Sequence, residues 1–428
     1  MASHFDKLSK VDQLLQVAAA GNLRRMKKLA KELDDGRGIA ETLANSKDSH
    51  GRAVIHVAAQ KGRTEICKYL IEELKLHVDE KDHEADYTPL LRATCEGHVR
   101  TVAYLIEHGA NPAAFNRHNK TALHIAVDNG FVEMIKLLLS KGVDVNAPCD
   151  EGTPLQLAAQ NCKQNILKVL LDHGANPNPV VTLIPTPLMW AISGNSMTCI
   201  KLLIQRGADP NAVAHGHTPL ALACCGKKFD IIKCLLEAGA DPNIVNDSGL
   251  KPIEIAAQNA NLAEVGILFP VTSPIPACSD WSINGIMKYM HSEEARQQEL
   301  VRNKEILLKV KSEADRALQR KDYFLAQLHY IEVLKLDPLD ATALSNSSLC
   351  YTCQGYPELA LEDAQACIKI RPDWPEAYYR AGVALTALEE FDMAADTLLE
   401  GLKLDRENKE LRDAFQKAVE GKLNSVNI

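Results

Sequence analysis

Nowhere in these 428 residues do eighteen apolar side chains run together, so no segment reads as a membrane-spanning helix. The opening MASHFDKLSK lacks the apolar stretch of a secretion signal. The closing SVNI lacks a cysteine for prenylation. These absences lead us to expect a cytoplasmic protein, with the nucleus as a second compartment, no membrane insertion and twelve reduced cysteines. The acceptor-like triplets beginning at Asn119, Asn246 and Asn346 would then stay unmodified. Positive charge is short as well. Acidic residues outnumber basic ones 56 to 48, which argues against nucleic acid as the main partner. The basic cluster Arg24-Arg25-Met26-Lys27-Lys28 reads as a solvated helix face.

The signatures of catalysis are missing too. No glycine-rich phosphate loop, G-x-S-x-G elbow or H-E-x-x-H helix occurs. Cys350 and Cys353 have redox or zinc spacing, but no second pair accompanies them and they fall in a helical pattern. No enzyme, cofactor or metal is therefore expected.

What the chain has in quantity is repetition. TPLLRATCEGH (88–98), TALHIAVDNGF (121–131), TPLQLAAQ (153–160), TPLMWAIS (186–193) and TPLALACC (218–225) restate one phrase, with steps of 33, 32, 33 and 32. Gly109, Gly142, Gly174, Gly207 and Gly239 keep the same beat. Each Thr can cap a first helix, and Pro suits the first helical position because its missing N–H would have no partner there. A second amphipathic helix follows, as in VEMIKLLLSKG (132–142), and Gly closes it. Repeats are counted from near Gly51, Asp86, Asn119, Glu151, Ile184, Gly216 and Gly249. A shortened unit over 12–33 precedes them as a cap. The first full repeat lacks its closing Gly, and the seventh ends at Pro270.

This period and phrase resemble the ankyrin repeat. The resemblance implies a stack whose turns and first helices line a concave face for protein partners. It places Gln60, Lys61, Glu96, Asp128, Asn129, Gln160 and Asn161 there, and gives His56 and His124 structural hydrogen bonds. Cys67, Cys199, Cys234 and the pair Cys224-Cys225 read as core. One turn differs, because Val180 to Pro185 form an apolar tip. Val181, Leu183 and Ile184, with Met189 and Trp190 on the next helix, are the candidate partner-binding residues of this finger. The competing reading folds the tip back into the stack with Trp190 as core.

The segment TSPIPACSDWSING (272–285) breaks the period, and 271–300 is expected as a hinge. A helix after it is expected to run unbroken into the second part, with Trp281 and Ile283 available for docking. There a period of 34 appears: Ala326, Ala360 and Ala394; Pro338 and Pro372. Ala314, Ser348 and Gly382 mark helix crossings, with Tyr330, Tyr351 and Tyr378 in the next layer. This resembles three tetratricopeptide repeats, with a sealing helix over 408–423.

Such a domain is similar to chaperone adaptors that grip the acidic C-terminus of cytosolic heat-shock chaperones. That grip uses Lys and Asn in the first repeat, Asn in the second, and Lys and Arg in the third. The resemblance puts these roles on Lys311, Asp315, Asn346, Glu376 and Arg380. Two are acidic instead, and pairs Lys311–Asp315 and Glu376–Arg380 at i,i+4 are expected to weaken the grip. The expected architecture is all-α, two helical solenoids. Its parts are a cap over 1–46, seven ankyrin repeats over 47–270, a hinge, three tetratricopeptide repeats over 301–406 and a closing helix and tail over 407–428. The expected function is a non-enzymatic adaptor linking two proteins, with a heat-shock co-chaperone as the alternative. The combination resembles ankyrin–tetratricopeptide fusions associated with plants.

Overall fold

A computed structural model describes residues 9–181 and 184–426, without the side chains of 424–426. Among these residues every regular element is helical, and the backbone bridges, such as Phe115 with Thr121, are isolated. The chain forms two compact units that divide between Met290 and His291. Each is an all-α stack of helix pairs.

In the first unit, Lys10–Ala20 pairs with Leu23–Leu33, and the last pair is Pro252–Gln258 with Leu262–Leu268. The repeated Thr starts each first helix. Thr88 accepts from the Leu91 N–H at 3.3 Å, Thr186 from Met189 at 3.3 Å and Thr218 from Ala221 at 3.1 Å. His124 Nδ1 lies 2.9 Å from Thr121 Oγ1 and accepts from its N–H. His56 Nε2 reaches the Glu80 carbonyl at 2.8 Å, tying one turn to the helix above it. The apolar faces then close into one core from Leu14 to Met290. Cys225 does not join it: Cys224 is buried, but its neighbour points to solvent from the last helical position.

The turns are bound to each other by a ladder that the A-D/N-P-N phrase supplies. Asn146 Oδ1 accepts from the Asn176 N–H at 2.8 Å, Asn178 from Asp209 at 2.8 Å, and Asn211 from Asp241 at 2.7 Å. The first full repeat, lacking Gly, ends differently. A π-helical turn at Tyr69–Glu73 absorbs extra residues, and Lys75 takes the left-handed conformation at φ 56°.

The segment expected as a hinge divides at Met290. Ile275, Cys278 and Ile286 belong to the first core, and Phe269 stacks on Trp281 at 5.4 Å, so its first part covers the last repeat. The following helix is not continuous. Ile283–Met290 ends, and Ser292 caps Glu293–Gln319 by accepting from the Ala295 N–H at 3.2 Å.

The second unit stacks Glu293–Gln319 with Tyr323–Leu336, Ala341–Gln354 with Pro357–Ile370, and Pro375–Ala387 with Phe391–Leu404, then Lys409–Val426. Small residues set the crossings. A side chain at Gly382 would strike Leu398, and Ser348 Oγ donates to the Ala360 carbonyl at 2.7 Å. Its apolar residues gather in three clusters rather than one.

Candidate protein-binding faces

The polar residues that the repeat register assigns to a binding face lie on the first helices of the pairs or directly after them. Gln60, Lys61, Glu96, Asp128, Asn129, Gln160 and Asn161 are exposed or half-buried. Several are joined to one another or to neighbours. Gln60 donates to Glu96 at 3.2 Å, and Lys120 bridges Asp128 and Glu151, each at 2.8 Å. Arg92 holds Asp82 at 2.6 Å and Glu84 at 2.8 Å. Charges in such a network are fixed in direction before any partner arrives.

At the fifth finger Val180 is 99% exposed, and Val181 and Ile184 are half-buried. The Ile184 N–H donates to the Val181 carbonyl at 3.2 Å. Leu183 lies outside the described residues. Met189 is 2% exposed and belongs to the packed interior, so it offers little surface of its own. Trp190 is half-buried against the core, and its indole N–H is buried with no hydrogen-bond partner. Pro185, Met189 and Trp190 wall a cavity of about 420 Å³ together with Leu222 and His217 of the next repeat. Sequence reasoning missed His217 and Leu222. The signal was present, since Leu222 stands 32 residues after Trp190 in the register.

The His217 imidazole is pushed up to about 9, first by its hydrogen bond with the Cys225 sulfur. Burial opposes this, while the His215 carbonyl, 2.8 Å from Nδ1, and the Asp247 charge support it.

In the second unit the five expected groove residues lie on the first helices of the three pairs. Their partners differ from the expected pattern in one respect. Glu376 and Arg380 form their i,i+4 pair at 2.7 Å. Lys311, however, pairs with Asp340 rather than Asp315. Asp340 is well placed because it also caps Ala341–Gln354, accepting from the Thr342 and Ala343 N–H groups at 3.1 and 3.2 Å. Asp315 instead accepts from Tyr330 Oη at 2.8 Å, and that oxygen accepts from Asn346 Nδ2 at 2.9 Å. Burial, then the Asp315 carboxylate, push the Tyr330 phenol upward. Every expected donor of the groove, Lys311, Asn346 and Arg380, is thus engaged by the protein itself. Sequence reasoning missed Asp340, although an Asp just before ATALSN is a cap signal.

Comparison with known proteins gives two kinds of likeness. The family model for ankyrin repeats matches three times, over residues 14–116, 112–181 and 182–246, together more than half of the chain. An Hsp70-Hsp90 organising protein of Plasmodium falciparum is 38% identical over 115 residues, 27% of this chain and 46% of that protein. Hsp70-Hsp90 organizing protein 1 of Glycine max is 34% identical over 138 residues, 31% of this chain and 24% of that one. For Hsp70-Hsp90 organizing protein 3 of Arabidopsis thaliana the figures are 37% over 102 residues, 24% and 18%. The chain spans less than half the length of each of these curated relatives. Among solved structures, the ankyrin repeat domain of Bcl-3, a member of the IkappaB protein family, matches at 26% identity. It covers 49% of this chain and 95% of its own, with a TM-score of 0.45.

Proposed function

This chain belongs to the ankyrin-repeat family, and from that premise we propose that it is a non-enzymatic adaptor joining two proteins. One partner lies along the concave face of the first unit. The other lies in the groove of the second, which we assign to the tetratricopeptide class on its 34-residue period and paired helices. Linking two sites in one chain raises the effective concentration of one partner near the other, with no reaction needed. The observation that carries the reading is the division into two compact stacks of helix pairs, the first with one buried core and the second with three buried clusters of its own. We place the protein in the cytoplasm, in keeping with the absence among the described residues of a helix long and apolar enough to cross a membrane.

A second reading, a co-chaperone of heat-shock chaperones, is favoured by the organising-protein relatives and by Lys311, Asn346 and Arg380 standing in their expected places. Against it stand Asp315, Asp340 and Glu376, three carboxylates around two cations. A reversed charge beside an incoming carboxylate weakens binding and slows association.

Cross-linking mass spectrometry on partners captured by the full chain tests the adaptor. One set should cross-link to residues before 291 and a different set to residues after it. Eluting with a partner of the first set should bring members of the second. Cross-links confined to one unit, or two sets that never co-elute, would sink the reading.

A further inference from the structure

Two departures from the repeat meet at the end of the first unit. Asn111, Asp144, Asn176, Asp209 and Asp241 share one register place in the turns, and at its next occurrence that place holds Ser273. The ladder itself persists, because the Ser273 N–H donates to Asn243 Oδ1 at 2.8 Å as the Asp241 N–H does to Asn211 at 2.7 Å. The second departure is Lys251, which stands where Thr88, Thr121, Thr153, Thr186 and Thr218 start the earlier first helices. Its ammonium donates to Ser273 Oγ at 2.7 Å and to the Ser273 carbonyl at 2.9 Å. A rung that carries a carboxylate at Asp144, Asp209 and Asp241 thus carries a hydroxyl here, held against a lysine.

Ser273 also precedes Pro274, in an exposed stretch outside any regular element. Ser-Pro and Thr-Pro occur five times in the chain. At the other four, Thr88, Thr153 and Thr218 are buried and Thr186 is half-buried, and each hydroxyl accepts a helix N–H. Only Ser273 is exposed, and the proline after it biases its backbone toward the extended form. We propose that Ser273 is a phosphorylation site for a proline-directed kinase, and that Lys251 receives the phosphate. Thr272 and Ile275 beside it are buried, so local opening precedes the transfer. The Ser273 oxygen attacks the γ-phosphorus of ATP, an Oγ–P bond forms, and the bond from that phosphorus to the β-phosphate oxygen breaks. ADP leaves, and the hydroxyl proton passes to the kinase's catalytic carboxylate. The bond from Ser273 Oγ to Asn243 Oδ1, 2.6 Å long, is lost, and a charge-assisted pair with Lys251 replaces it. The phosphate also reaches the Ile275 N–H, two residues on, as the Asp241 carboxylate takes that of Asn243 at 2.8 Å. Modification gives this rung the negative charge of its predecessors and fastens the segment that covers the last repeat.

Incubating the full chain with ATP and a purified mitogen-activated protein kinase, then mapping the added phosphate by mass spectrometry, tests the site. One phosphate is expected on Ser273 and none on the four threonines. The modified chain should exchange the amides of 272–290 about tenfold more slowly, through the added charge-assisted bonds. Lys251→Thr restores the residue of the other repeats, and should leave the labelling intact while removing the slowing. An unlabelled chain, treated beside a Ser-Pro control peptide that is fully labelled, would overturn the proposal. So would label confined to the threonines, a labelled chain with unchanged exchange, or slowing that survives Lys251→Thr. The adaptor reading stands apart from these results, because only the cross-linking pattern decides it.

Discussion

The first unit gathers its buried residues into one core from Leu14 to Met290, whereas the second divides its own among three clusters. Helix length explains much of this. Past its cap, the first unit's α-helices are five to nine residues long, too short to persist alone, so each depends on its neighbours. Helices of 13 or 14 residues in the second unit bury more against their own partner. The two faces differ in the same sense. The first leaves a cavity between two consecutive repeats at Trp190 and Leu222, and the second closes each binding cation with an acid. Repetition of helix pairs therefore fixes an architecture and leaves selectivity to a few side chains.

The comparison breaks most sharply in the cores. Leu203 and Leu398 are both fully buried, one in each unit, and Leu→Ala at either should cost about 2–5 kcal/mol. Leu203→Ala should lower the denaturation midpoint read from Trp190 and Trp281 and leave the one read from Trp374. Leu398→Ala should do the reverse. Midpoints that move together in both variants would show one cooperative body instead of two.

Protonation distinguishes the first unit next. Burial raises Glu264 from 4.5 to about 7, with only partial relief from Lys227, and neither oxygen has a hydrogen-bond partner. The unfolded chain loses that proton first, so stability falls as pH rises from 4.5 to about 7 and is flat above. Burial lowers His124 from 6.5 to about 4. Its contribution has the opposite slope, present above 6.5 and lost as pH falls to about 4. Glu264→Gln should therefore stabilise the first unit at pH 8 by on the order of 1–3 kcal/mol. Its urea midpoint should then decline only on the acid side.

Charge exchange sharpens the contrast between the faces. Asp315→Asn with Glu376→Lys should raise affinity for a peptide ending in consecutive Glu and Asp residues by about tenfold or more in calorimetry. Adding Asp340→Asn should raise it again by freeing Lys311, since Asn still caps the helix. The smallest effect is expected on the turn ladder. Asn211→Ala removes bonds to the Asp241 N–H and the Gly239 carbonyl. It should cost about 0.5–1.5 kcal/mol, seen as faster amide exchange at Asp241.

The helix pairs were legible because Thr-Pro caps, closing glycines and apolar spacing are local signals that agree with one another. Partners that lie far apart in sequence were less so. Lys311 was expected on Asp315, four residues away, yet it bonds Asp340, which the helix dipole and cap geometry hold close. Met189 reads as part of an apolar finger, but its position turns it inward. The break at Ser292 was hidden because the charged residues around it fit one long helix equally well. The cavity at Trp190 needs two consecutive repeats to exist, so no single phrase of the sequence contains it.

Calorimetry on the unmodified full chain with a peptide ending in consecutive Glu and Asp residues tests the central claim most directly. With Lys311 and Arg380 held by their own acids, no saturable binding is expected below about 100 μM. A dissociation constant of a few micromolar, on the order of 8 kcal/mol of binding free energy, would contradict it.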